Sequence, residues 1–210
     1  MRVVPGRGLE VVLPRGVPMR EALAFVRREE RWVLAALAKL QQQADAAVPL
    51  RDGSALPYLG MSLTLVVSHG ARSTIRRVGG ELHVCVADGM APDCALEAWY
   101  RADARRVMGE RVDAHAATLD VAYGRITIKD TRSRWGSCSS KGNLNFSWRL
   151  LLAPYAVMDY VVAHEVAHLR ELNHSPRFWT AVATLCPDYR THRTWLGAHG
   201  AELAVWPGAG

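Results

Sequence analysis

No uninterrupted apolar run in this 210-residue sequence exceeds the nine residues from Leu150 to Met158, and that run contains Pro154. A membrane-spanning helix needs roughly 20 apolar residues, so a bilayer span is excluded and a soluble protein is expected. Cysteine is scarce: Cys85, Cys94, Cys138 and Cys186 are scattered, with no CxxC pair. That argues against a structural four-cysteine zinc site and against a redox pair. Residues 1–6 lead into a strand-like segment without a secretory pattern, so reduced thiols in a cytoplasmic setting are expected. Internal repeats, low-complexity tracts and a P-loop are also missing. Acidic residues are outnumbered by basic ones, 20 against 26. The resulting +6 charge is compatible with an anionic partner without requiring one.

Half of the residues are hydrophobic and seven are Trp, enough for a sizeable core in one compact domain or a domain with a smaller lobe. Residues 1–17 read as β structure, closed by Pro14-Arg15-Gly16, and residues 18–43 as a helix with Met19, Leu23, Val26, Val33, Leu37 and Leu40 near helical period. A loop rich in Gly and Pro is expected over 49–60. Short strands follow at Leu63–Val67, Arg72–Arg77 and Glu81–Val86, the last two joined by Gly79-Gly80. Ala91-Pro92-Asp93 opens a long helix reaching about Leu119. Tyr123–Lys129 alternates as a strand, and Arg132–Cys138 and Asn143–Trp148 form a hairpin around Ser139-Ser140-Lys141-Gly142.

The closing third is helical. Pro154 suits a first helical turn, Ser175-Pro176 an N-cap and first position, and Pro187-Asp188 restarts a third helix. The pattern is α+β: a β-rich N-terminal region with one helix over 1–90, then a region over 91–210 with a β-hairpin and a central helix, the two expected to form one compact unit.

That central helix carries an HExxH motif, His164-Glu165-Val166-Ala167-His168. Residues four apart share a helical face, so His164 and His168 can hold one metal ion while Glu165 reaches water beside it. The apolar helix makes two imidazoles and a carboxylate costly to bury without a partner. His174 stands six residues past His168, and can join only if the chain leaves the helix. Asn173 tolerates a left-handed C-cap and Pro176 prevents continuation, so the exit is expected near Leu172. Where HExxHxxGxxH places Gly, this chain has Glu171, whose carboxylate is the alternative third ligand. Three ligands leave a fourth position open for hydrolysis by metal-activated water.

Between 125 and 149 the basic residues Arg125, Lys129, Arg132, Arg134, Lys141 and Arg149 face one acid, Asp130. They form either a solvated strand face or an anion-holding rim beside the metal. Cys138 reads as a small buried residue. The strand edge offers extended peptide a place to pair.

The segments Thr131-Arg132-Ser133-Arg134-Trp135-Gly136-Ser137-Cys138-Ser139, Leu144-Asn145-Phe146, Leu150-Leu151-Leu152-Ala153-Pro154, Asp159 to Leu169, Asn173-His174-Ser175 and Phe178-Trp179 closely resemble the YgjP-like metallopeptidase family, also described as M48-like or SprT-like. The resemblance is dense from about 125 to 197. It implies a zincin-like catalytic half, one Zn2+ per chain on His164, His168 and His174, and Glu165 as general base. Arg132, Arg134 and Asn173 are candidate substrate contacts. The first expectation is a peptide or protein substrate. A nucleoside triphosphate pyrophosphatase and a DNA-associated module are the alternatives, and oligomeric state is left open.

Overall fold

The structure is a computed structural model that describes residues 1–4, 8–13, 16–45, 50–88, 90–131 and 134–204. The chain divides into two compact units, Met1–Pro49 and Leu50–Ala209.

In the smaller unit, β1 (Arg2–Val4) pairs antiparallel with β2 (Gly8–Glu10), and among the described residues up to 17 the strand character ends at Glu10; Pro14 and Arg15 lie outside the described residues. The helix expected over 18–43 is two, α1 (Met19–Arg28) and α2 (Glu30–Asp45). They meet at Glu29, whose backbone opens to φ −95° and ψ 16°. Bonds from Glu29 N–H to Phe25 O (3.1 Å) and from Val33 N–H to Glu29 O (3.0 Å) carry the helical ladder across the jog. No Gly or Pro marks the break, so the residue pattern gave no warning of it.

The larger unit begins with a four-stranded sheet of β3 (Ala55–Tyr58), β4 (Met61–His69), β5 (Thr74–Val78) and β6 (Glu81–Val86), in the order β3-β4-β6-β5. β4 and β6 are parallel and the other pairs antiparallel. β3 lies where a loop was expected. It is an edge strand, which tolerates Pro57. It turns back through Leu59 and Gly60, both at positive φ (50° and 84°), as the two-residue hairpin turns require. Leu is costly there. The bond from Leu59 N–H to Leu151 O at 2.7 Å anchors that turn to the rest of the unit.

α3 (Asp93–Leu119) packs against the 3-10 segment Trp148–Leu152 and the helix α4 (Tyr155–Ala167), and touches β5, β6 and β7 (Ile126–Lys129). Its buried residues Leu96, Tyr100, Ala104, Met108, Val112 and Ala116 recur at steps of four. α3 and the 3-10 segment thereby bind the first sheet to the later elements of this unit. The second sheet has the order β7-β9-β8, with β8 (Gly136–Cys138) antiparallel and β7 parallel to β9 (Leu144–Ser147). Trp148, expected to end the hairpin strand, begins the 3-10 segment instead. α5 (Pro176–Leu185) and α6 (Tyr189–Ala204) complete the unit.

The architecture is α+β with the HExxH helix at its centre. α4 is apolar around its circumference, and Val161, Val162, Ala163, Val166 and Ala167 are all buried. A polar tie joins it to α3. Arg111 Nε and Nη2 donate to the two oxygens of Asp159 at 2.7 and 3.2 Å, and His115 Nε2 lies 2.8 Å from Asp159 Oδ1. Burial pushes the Asp159 carboxyl up. The hydrogen bonds and charges of His115 and Arg111 outweigh that and hold it below the ordinary 3.8. Asp159→Ala is expected to cost about 2 kcal/mol in chemical denaturation at neutral pH, a buried-pair value discounted for the partly exposed Arg111. A depressed carboxyl stabilises above its unfolded pKa, so the difference between wild type and variant should shrink as pH falls below 3.8. A constant difference down to acid pH would contradict it.

Candidate metal centre

The α4 ladder ends at Ala167, and His168 occupies the C-cap with φ −66° and ψ −19°. Leu169 N–H to Val166 O (3.0 Å) and Arg170 N–H to Ala167 O (3.1 Å) tighten the last turn into 3-10 geometry. Glu171 N–H also bonds Ala167 O at 3.0 Å, so a last turn carries the chain from the end of the regular helix to Glu171, next to the exit expected near Leu172. Asn173 is not left-handed: among the described residues only Leu59 and Asp120 are non-glycines at positive φ. The return is made instead by the bond from Ser175 N–H to Asn173 O (2.7 Å) and by the cap of α5, where Phe178 N–H donates to Ser175 Oγ at 3.3 Å. His174 is carried on that return.

The three imidazoles converge. Their ligand-capable nitrogens lie within 4.8 Å of one another, and His174 Nε2 stands 3.2 Å from His164 Nε2. Nitrogens bound to one tetrahedral zinc at about 2.0–2.1 Å are themselves about 3.3 Å apart, so the spacing fits a shared ion. His168 Nδ1 lies 3.1 Å from the Glu171 carbonyl. Donation there fixes the ring and leaves Nε2 as the lone-pair nitrogen. Glu171 meets the cluster through its backbone, while its carboxylate is no part of it. His164 Nδ1 is buried without a hydrogen-bond partner among the described residues.

Phe178 is the shared floor. It is fully buried, and its ring centre stands 4.9, 4.4 and 4.7 Å from those of His164, His168 and His174. A single aromatic on α5 therefore spaces ligands from two segments, a role the sequence showed only as an apolar position. Burial, then the neighbouring His168 and His174, then Arg193 push the His164 imidazole down to about 4. Burial and His174 also lower His168, against the Glu171 carbonyl. Both rings are neutral near pH 7, the form that binds metal.

Glu165 is buried beside them, 6 % exposed. Burial pushes its carboxyl up to about 7, opposed by the Cys138 backbone N–H and the Arg134 charge. The closeness to β8 depends on Gly136: a Cβ there would lie 2.6 Å from both Cγ and Oε1 of Glu165. β8 is an outer strand of its sheet. The Cys138 backbone N–H on that edge faces the Glu165 carboxylate and favours its ionised form.

Of the basic residues expected as a rim, Arg125, Lys129, Arg134 and Lys141 are exposed. Arg149 is not: it is wholly buried, stacks on Trp148 and donates to Asp130 Oδ1 at 2.7 Å. Arg134 is near enough for its charge to act on Glu165. Arg132 lies outside the described residues. Asn173 is exposed next to His174.

The family described as YgjP-like, metallopeptidase domain, matches residues 1–199. The chain belongs to this family. Membership places it among metallopeptidase-type hydrolases and implies a metal ion, for which the three histidines are a fitting donor set. A search of curated proteins returns no match. The crystal structure of the metallopeptidase zymogen of Pyrococcus abyssi abylysin is similar with a TM-score of 0.41 and 18% identity, covering 43% of this chain and 92% of that one. No helix among the described residues is long and apolar enough to cross a membrane.

Proposed function

We propose that this family member is a zinc-dependent peptidase with Glu165 as its general base and His164, His168 and His174 as its metal ligands. The observation that carries the reading is the convergence of three imidazoles within 4.8 Å beside a buried carboxyl. Three imidazole nitrogen donors suit zinc, and the absence of a fourth protein ligand among the described residues matches a catalytic rather than a structural site. A zinc ion held there would polarise the scissile carbonyl and make water acidic enough to lose a proton near neutral pH.

The chain's own work is proton handling. The Cys138 N–H and the space left by Gly136, which has no Cβ, seat the Glu165 carboxylate against β8. From there it accepts a proton from the attacking water at a carboxylate oxygen while the water oxygen bonds the carbonyl carbon. It then delivers that proton to the departing nitrogen as the C–N bond breaks. A carboxyl with its pKa near neutral serves both halves of this cycle, and a nearby cation favours its ionised form. Phe178 keeps the imidazoles apart at ligand spacing and excludes water from one side of them.

The test is an unbiased peptide library, a nucleotide panel scored for pyrophosphate release and a duplex-binding assay, all with metal-loaded protein. Peptide-bond cleavage is expected. Pyrophosphate release without peptide cleavage, or salt-sensitive duplex binding alone, would replace this reading with one of the alternatives.

A further inference from the structure

Beside the imidazole cluster, α5 and α6 build a wall that the proton-handling residues do not use. Trp179 follows Phe178 on α5, and its ring stands 5.8 Å from His174 in a stacked arrangement and 5.9 Å from His164. Two α6 side chains four residues apart, and therefore on one face, pack on that indole. Tyr189 stacks at 5.2 Å and 19°, and the Arg193 guanidinium carbon sits 5.1 Å from the ring centre.

Arg193 differs from the paired arginines of this unit. Arg101, Arg106, Arg111 and Arg149 each hold a carboxylate, of Glu97, Asp103, Asp159 and Asp130 respectively. Arg193 is exposed, and none of the described carboxylates pairs with it. Its guanidinium is ordered by an aromatic face while its N–H edge remains available. Stacking reduces the side-chain entropy lost when a ligand binds. The planar fork matches a carboxylate in two parallel hydrogen bonds. Arg134, on the Glu165 flank, has no such platform among the described residues.

We propose that Arg193, held on Trp179, binds a carboxylate of the peptide substrate on the His174 side of the metal centre. Given about 3.3–3.6 Å per extended residue, the two ring-scale steps from His174 to Arg193 place that carboxylate within about three residues of the scissile bond. The group is either a free C-terminus or an Asp or Glu side chain. The assignment rests on the peptidase reading above and adds its substrate class.

The test compares one cleavable peptide in three forms: free C-terminal acid, C-terminal amide, and amide with a Glu introduced near the scissile bond. Each is assayed for kcat/KM with metal-loaded wild type, Arg193→Ala and Arg193→Lys. Each is also titrated calorimetrically into metal-loaded Glu165→Gln and Glu165→Gln/Arg193→Ala. In wild type the acid form, the Glu form or both should exceed the plain amide. Arg193→Ala should reduce that ratio about 10- to 100-fold, the scale of a charge-assisted pair. Arg193→Lys should recover part of it, because it keeps the charge and loses the fork. Whichever form shows the effect identifies the carboxylate. A ratio within one protein sample cancels any loss of folded material. An unchanged ratio, or an equal loss on all three peptides, overturns the proposal. Arg193-dependent binding of the carboxylate forms without cleavage of any peptide by wild type upholds the subsite and sinks the peptidase reading. Peptides neither bound nor cleaved sink both.

Discussion

Glu165→Gln is expected to lower kcat for peptide hydrolysis by about 10²- to 10⁴-fold, the range of a positioned general base, while the protein still binds one metal ion per chain. The substitution keeps the side-chain volume against Gly136, where even a Cβ would come within 2.6 Å of the Glu165 side chain. It also keeps an oxygen to accept the Cys138 N–H. What it removes is the ability to take and return a proton. The imidazoles reach the cluster from α4 and from the return before α5, with spacing set by Phe178, so their geometry does not depend on the carboxylate. Metal content by elemental analysis and single-turnover kinetics separate the two effects. Turnover at the wild-type rate would remove Glu165 from the chemistry.

The second large effect belongs to a residue with no side chain. Gly136→Ala places a methyl group 2.6 Å from Glu165 Cγ and Oε1 and 2.9 Å from Cδ, distances that no side-chain rotation of an alanine relieves. Either β8 retreats and the Cys138 N–H leaves the carboxylate, or Glu165 swings off the strand. Overpacking of this kind costs about 1–3 kcal/mol of stability. A misplaced base costs on the order of 10²-fold in rate. Denaturation and kcat should therefore both fall, with metal content retained. A double-mutant comparison sharpens the origin: in the Glu165→Gln background, Gly136→Ala should add little further loss of rate, because both act on one proton transfer. Full additivity would show that Gly136 matters only for folding.

The chemistry-bearing spacing was legible in the chain, because HExxH on an apolar helix has one geometric meaning. His164, His168 and Glu165 follow from helical periodicity, and His174 from the need to leave the helix. The manner of leaving was not legible. Asn173 and the absent Gly at 171 suggested a left-handed cap, whereas a 3-10 tightening at His168 and a Ser175 cap suffice. The α+β order was readable from the change of period between the two halves. β3 was hidden by Pro57 and by a turn that uses Leu59 at positive φ, a conformation stabilised by a distant carbonyl. The jog at Glu29 leaves its helical bonds intact and so leaves no mark in the sequence. Arg149 counts as a surface cation in composition, yet the fold buries it against Trp148 and Asp130. Phe178, Gly136 and Arg193 gain their meaning only when α4, α5, α6 and β8 meet. No residue pattern encodes those meetings locally.

Metal-edge anomalous diffraction from crystals of the metal-loaded protein tests the central claim most directly. One anomalous peak per chain is expected, within about 2.0–2.1 Å of a nitrogen of each of His164, His168 and His174, with Glu165 close by but not bound to it. A peak held by the Glu171 carboxylate in place of His174, or one coordinated by Glu165 itself, would contradict it.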